Sequence, residues 1–248
     1  MTQAVPVRAY ILAGGRSSRM GRDKAMLRLG GRTLLGRAVD TLRAVSSLGA
    51  HGASVSVTVV GSRTELEGAD RAIADGHSGC GPLGGMEAAL RDLTERGDAE
   101  WAFFLPVDMP FLPPGLVDAL LQEWFDAAQN GARACYVVMD GRPQPLVSLI
   151  HKSLHLFMLQ ALTSGQLKVT PVLQSATEVL ASPDAEGIRF RQSVLHTTHV
   201  FLDGSVPVLA GWNATEEQEQ LQRLWFSNLN NEEDFKEAET FALRLGFS

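Results

Sequence analysis

The chain has 248 residues, 45% of them hydrophobic and 20% charged, with a formal net charge of −6. This suits a globular protein able to bury a sizeable core, as one large domain or two small ones. The negative balance argues against general nucleic-acid binding, which uses a basic face, and no apolar run reaches the length of a membrane span. The opening MTQAVPVRAY has neither the basic region nor the apolar core of a signal peptide. Cys80 and Cys135 lie far apart and make neither a metal pattern nor a disulfide framework. A cytoplasmic enzyme or binding protein is expected.

VRAYILA (7–13) is a short apolar run suited to a buried strand. Gly14 and Gly15 follow, and then four cations, Arg16, Arg19, Arg22 and Lys24. RTLLGRAVDTLRAV (32–45) sets Leu35, Val39 and Leu42 at helical spacing. SVSVTVVG (54–61) is β-branched and reads as a strand, AIAD (72–75) as a shorter one. Met86, Leu90 and Leu93 stripe a helix that begins at Pro82. WAFFLPVD (101–108) is continuously apolar, as in a strand covered on both faces. Leu116, Leu120 and Trp124 mark the next helix, ACYVVM (134–139) the next strand, PLVSLI (145–150) another strand, and SLHLFMLQAL (153–162) a helix. Residues 176–224 carry mixed signals and read as an extension or small subdomain. TEEQEQLQRLW (215–225) reads as a solvent-facing helix. Phe235, Ala238, Phe241 and Leu245 form one face of a closing helix, capped by Asn230 or Asn231. The alternation predicts a doubly wound α/β fold, a mostly parallel sheet between two layers of helices. Ligands in such sheets bind beyond the carboxyl ends of the strands. That rule singles out Gly14–Lys24, Gly61, Asp75 and Asp108.

Three glycine-loop patterns compete. A P-loop needs G-x-x-x-x-G-K-[ST], but Met20 stands five after Gly15 and no Ser or Thr follows Lys24. Gly79, Gly81 and Gly84 match G-x-G-x-x-G, yet three residues separate them from the strand and Pro82 removes a donor. That segment reads as a tight turn into a helix. LAGGRSSRMGRDKA (12–25) fits L-A-G-G-x-S-x-R-M-G-x-D-K at every specified position. Together with GPLGGMEAAL (81–90), LPVDMPFL (105–112), PQPL (143–146) and WFSNLNNEEDF (225–235), it resembles the molybdenum cofactor guanylyltransferase family of Rossmann-like nucleotidyltransferases. There are departures. Gly61 stands where the family often has Asn, Asn231 and Glu232 replace Thr-Pro, and residues 176–224 are longer than the family usually needs.

The resemblance implies one nucleotidyltransferase domain over 1–248, with an atypical extension at about 176–224. It implies transfer of GMP from GTP to molybdopterin, release of pyrophosphate, and Mg²⁺ as cofactor. Molybdoenzyme maturation proteins are the implied partners, with no nucleic acid and no membrane. The alternatives are CTP or a different phosphorylated acceptor, a non-catalytic nucleotide-binding regulator, and, on the GCGPLG match alone, a redox dinucleotide enzyme.

Nucleotidyl transfer has a largely electrostatic barrier, so it needs cations and amide donors around the phosphates. The loop after Leu12 and Ala13, from Gly14 and Gly15 on to Arg19, offers successive backbone N–H groups as an anion nest. Arg19 would fork onto the β and γ phosphates, and Lys24 would neutralise the α phosphate and the departing pyrophosphate. Arg16 and Arg22 read as solvated surface cations. Asp108 ends a buried strand, where an unpaired carboxylate is expensive. A Mg²⁺ ligand is favoured there over an N-cap or a loop salt bridge. Asn230 is either a second, neutral metal ligand, as the resemblance implies, or a helix cap. Asp75 either accepts from N1–H and the 2-amino group of guanine or forms the turn before Gly76. Gly81, with Gly84 and Gly85, would let loop and nucleoside approach closely. The resemblance puts Gln144, Asn228 and Asn230 on the acceptor side. His77, His151, His155, His196 and His199 lack metal-ligand spacing and read as structural or surface residues.

Overall fold

In the computed structural model the described residues are 6–14, 23–49, 55–139, 141–180, 212–221 and 224–244. In chain order the first half comprises β1 (Val7–Leu12), β2 (Arg28–Leu29), β3 (Arg32–Thr33), α1 (Leu34–Ala44), β4 (Val57–Val60), β5 (Arg71–Ile73) and α2 (Pro82–Arg96). There follow β6 (Trp101–Pro106), α3 (Pro114–Gln129), β7 (Ala134–Met139), β8 (Arg142–His151), α4 (His155–Thr163) and α5 (Val169–Leu180). Beyond residue 211 come α6 (Glu216–Gln220) and α7 (Glu232–Arg244).

The apolar runs make the centre of the sheet. β1 and β6 lie parallel, in register from Val7 opposite Trp101 to Leu12 opposite Pro106. Ala9, Ile11, Phe103 and Leu105 enter one hydrophobic core; Tyr10, Leu12, Ala102 and Phe104 enter the other. That division is the two-residue period of a strand buried on both faces. β4 pairs parallel to β1, and β5 to β4. β8 runs antiparallel to β6, and β7 antiparallel to β8, so the order is β5-β4-β1-β6-β8-β7. Side chains of α1, α3 and α7 fill the first core, those of α2, α4 and α5 the second. The expected three-layer, mostly parallel architecture is present, with β8 as the one reversed strand of this six-stranded sheet among the described residues.

Several segments differ from the expectation. Residues 28–33 form a tight hairpin, with Gly30 and Gly31 at φ +54° and +78°. Two consecutive positive φ values suit a glycine pair, and Thr33 caps α1 by accepting from the Gly36 N–H. β5 stops at Ile73, so Asp75 lies two residues beyond it. α5 occupies 169–180, a region without an expected helix. Val172, Leu173 and Ala176 bury its inner face. The solvent-facing helix of 215–225 is corrected: α6 ends at Gln220, and Leu221, Leu224 and Trp225 turn into the core. The capping box at Thr215 and Gln218 starts α6, but burial of the apolar residues after it ends it. Residues 181–211, most of the extension, lie outside the described residues. Among the described residues no helix is long and apolar enough to cross a membrane.

Candidate active site

The carboxyl ends of β1, β4, β5 and β6 share one rim of the sheet, and the candidate residues gather there. Beyond β1, the Ala13 N–H donates to the Val60 carbonyl (3.1 Å) and the Val107 N–H to the Leu12 carbonyl (3.1 Å). The chain therefore stays clamped between β4 and β6 as it reaches Gly14. Gly61 lies against it at φ +144°, where an added Cβ would sit 3.4 Å from Ala13 and from the Gly14 nitrogen. Leu12, Ala13 and Gly14 thus form a fixed floor. Gly15 and Arg19 fall within 15–22, outside the described residues.

Lys24 begins a 3-10 turn (Lys24–Met26) capped by Asp23, whose Oδ1 accepts from the Ala25 N–H. Its ammonium donates to Asp108 Oδ2 at 2.6 Å and to Asn230 Oδ1 at 3.2 Å. Both members of the Lys24–Asp108 pair are largely buried, with side chains 16% and 18% exposed. Asp108 follows β6 by two residues, and its carbonyl accepts from the Leu229 N–H (3.2 Å), which moors the Asn228–Asn230 segment beside it. The cap of α7 is Asn231: its Oδ1 accepts from the Glu233 and Asp234 N–H groups, each at 2.9 Å. Asp234 answers by accepting from the N–H groups of Asn230 and Asn231. The capping reading thus passes to Asn231, leaving the Asn230 side chain to Lys24. The salt bridge considered for Asp108 is present, with Lys24 as its partner.

Asp75 Oδ1 accepts from the His77 N–H at 2.8 Å, the turn-forming role. Its other oxygen lies 3.9 Å from where a Gly14 Cβ would stand, so its carboxylate neighbours the floor. Gly81 precedes α2 at φ +65°. Gln144 sits near the start of β8, opposite Val137. Because β8 runs antiparallel to β6, its first residues approach the rim at which β6 ends. Asn228 Oδ1 is buried and has no hydrogen-bond partner among the described residues. His155 and His77 both face Glu87, and His151 bonds Ser153; His196 lies outside the described residues, as does His199.

Arg63 is a site residue that sequence reasoning missed. Its guanidinium donates to the Ala13 carbonyl (2.7 Å) and to Asp23 (3.2 Å), so it ties together the two ends of the 14–23 loop. The side chain is only 7% exposed. Its position just past a strand end was the one available signal. Arg63→Met takes this donor from the Ala13 carbonyl, while the half-exposed Asp23 carboxylate keeps water and the Ala25 N–H, and is expected to cost about 1–3 kcal/mol of stability. Urea unfolding would measure this, and an unchanged midpoint would count against the strut.

Asp108 Oδ2 and Asn230 Oδ1 converge on one cation, so this donor set fits a hard metal ion that draws its remaining ligands from phosphates and water. Among the described residues, no group of three or more His, Cys, Asp and Glu could hold a metal by itself.

A mostly parallel sheet of this order, with a Lys–Asp–Asn cluster at its carboxyl rim, defines a Rossmann-like nucleotidyltransferase fold. Solved structures agree on that fold. Molybdopterin-guanine dinucleotide biosynthesis protein A from Archaeoglobus fulgidus superposes with a TM-score of 0.62 at 20% identity, over 96% of this chain and 99% of that one. A nucleotidyl transferase from Methanothermobacter thermautotroptrophicus gives 0.57 at 17% identity, over 96% and 98%. The chain belongs to the MobA-like NTP transferase domain family, whose profile matches residues 9–179. A molybdenum cofactor guanylyltransferase from Xanthomonas euvesicatoria pv. vesicatoria is 40% identical over 49% of this chain and 57% of its own length. A protein of the same name from Yersinia pestis is 33% identical over 68% of this chain and 80% of its own. A probable molybdenum cofactor guanylyltransferase from Opitutus terrae is 39% identical over 50% and 54%. The match thus spans little more than half of the Xanthomonas and Opitutus relatives. The Asn228–Asn230 segment lies beyond the profile match.

Proposed function

We propose that this protein transfers GMP from GTP to molybdopterin, releasing pyrophosphate, in a Mg²⁺-dependent reaction. The observation that carries the reading is the convergence of Lys24, Asp108 and Asn230 at the rim where such folds bind nucleotides. The names borne by its relatives support the choice of substrates.

In this reading Asp108 and Asn230 hold Mg²⁺. The ion, when bound, neutralises charge on the triphosphate and its leaving group. Lys24 then offers its ammonium to the α phosphate and the departing pyrophosphate, and Arg19 forks onto the β and γ phosphates. The strand end at Leu12 and Ala13 and the amides of Gly14 and Gly15 receive the nucleotide, with Gly81 close to the nucleoside. Asp75 takes the two donors of the guanine edge. Gln144, Asn228 and Asn230 face the acceptor. The chain from 1 to 248 works as one domain, with the extension shaping the acceptor side. We place the reaction in the cytoplasm, its product passing to molybdoenzyme maturation proteins.

Calorimetric titration of GTP, ATP, CTP and UTP with Mg²⁺ present tests the nucleotide. A site built to bond one base edge rejects others strongly, because its own polar groups would go unpaired. GTP is expected to bind roughly a hundredfold more tightly than ATP or CTP, about 2.7 kcal/mol. Equal affinities would remove the base-reading role of Asp75. A clear CTP preference would point to cytidylyl transfer.

A further inference from the structure

Glu87 is a carboxylate with no exposed surface, in the second turn of α2. Burying a carboxylate is unfavourable unless cations and hydrogen bonds surround it. Its Oε1 lies 2.9 Å from His155 Nε2, at the start of α4. Its Oε2 lies 3.4 Å from His77 Nε2 and 3.6 Å from the Arg91 guanidinium, and makes no hydrogen bond among the described residues. The first contact clips α4 to α2. The second oxygen faces the loop after β5, and packing of two helices does not account for it.

That loop rests along α2. A Cβ at Gly84 would stand 2.9 Å from Asp75 Oδ1 and 3.1 Å from the His77 carbonyl, and one at Gly76 would stand 3.0 Å from the Arg91 guanidinium. Residues 84, 87 and 91 share one helical face. On it Gly84 leaves room for the loop, Glu87 faces it with Oε2 3.4 Å from His77 Nε2, and Arg91 covers it. His77 joins the two parts: its ring faces Glu87 while its N–H holds Asp75 Oδ1 at 2.8 Å. With one carboxylate oxygen fixed this way, the rotation of the Asp75 carboxylate is set.

We propose that Glu87 and His77 are positioning residues for base selection: Glu87 holds His77, and the His77 N–H orients Asp75 to read the 2-amino and N1–H donors of guanine. The proposal rests on the base-reading role of Asp75. Neither residue touches the nucleotide.

The test compares Mg·GTP with Mg·ITP, whose base lacks the 2-amino group, together with Mg·pyrophosphate as a probe of the phosphate site alone. Wild-type, Asp75→Asn, Glu87→Gln and His77→Gln proteins would be titrated. Glu87→Gln keeps the shape but replaces the carboxylate that faces His77 with a neutral amide; His77→Gln changes a loop side chain and spares the α2–α4 clip. Wild-type protein is expected to prefer GTP, and Asp75→Asn to lose the preference. Glu87→Gln and His77→Gln should each lower the GTP-to-ITP ratio about fivefold or more, with pyrophosphate affinity unchanged. A packing defect would instead weaken all three ligands together. If the wild-type preference survives in both variants, the positioning role is overturned while the nucleotide assignment stands. Equal weakening of all three ligands in both variants would overturn it in the same way. A wild-type protein that does not distinguish GTP from ITP would overturn the base-reading assignment and this inference with it.

Discussion

Asp108→Ala is expected to cut turnover roughly a hundredfold or more, the scale seen when one electrostatic group is removed from a transition state. Asp108 Oδ2 is the closest partner of the Lys24 ammonium, and the Asp108 backbone moors Leu229. The substitution removes the carboxylate and keeps the mooring, because the bond to Leu229 uses the main-chain carbonyl. The fold should therefore survive, with a normal circular dichroism spectrum and a cooperative melt. Steady-state assays across a Mg²⁺ series would measure the loss. A folded variant with near-normal activity at millimolar Mg²⁺ would sink the metal assignment.

Lys24→Ala is the second large effect. A charge that neutralises departing pyrophosphate acts mainly in the transition state, so kcat and kcat/KM should fall together. A drop of about a hundredfold is expected. The variant also leaves Asp108 and Asn230 facing each other without their shared donor. Lys24→Arg should recover little, since a planar fork does not replace a compact ammonium between two oxygens. Full kinetics with both substrates varied would separate the outcomes. A rise in KM alone would mean that Lys24 binds the ground state, and wild-type kinetics would place the phosphate site elsewhere.

Much of the fold was legible because the sheet is buried on both faces. WAFFLP is a continuous apolar run, VRAYIL is apolar but for Arg8, and each helix next to them carries a clear stripe. The hairpin at 28–33 was not legible, because two-residue strands are too short to show a period. α5 escaped because Pro171 sits in its first turn and suggests a break, although Val169, Val172, Leu173 and Ala176 keep helical spacing. The stretch after α6 was obscured because Glu216–Gln220 is wholly polar and hid the burial of Leu221 and Trp225. In the site, Lys24, Asp108 and Asn230 were marked by their motifs, and the structure brings them together. Whether Asn230 or Asn231 caps α7 turned on a long-range contact, because Lys24 takes the Asn230 side chain and leaves Asn231 to accept from the Glu233 and Asp234 N–H groups. Arg63 was hidden because its main partner is a backbone carbonyl, and Glu87 because a charged residue on a helix usually faces water.

The Lys24 ammonium bonds one residue 84 positions away and another 206 positions away. Contacts at such separations form late, since the intervening chain must first be ordered. A chain emerging from its amino end can pair β1, β4 and β6 long before Asn230 exists, leaving Lys24 and Asp108 as a site of two. The third member arrives with the segment that begins α7, whose Ala238 and Ala242 are buried in the core. Docking of that helix is therefore also the step that completes the cluster, and a partly synthesised chain that already holds its sheet has the cleft without its last oxygen.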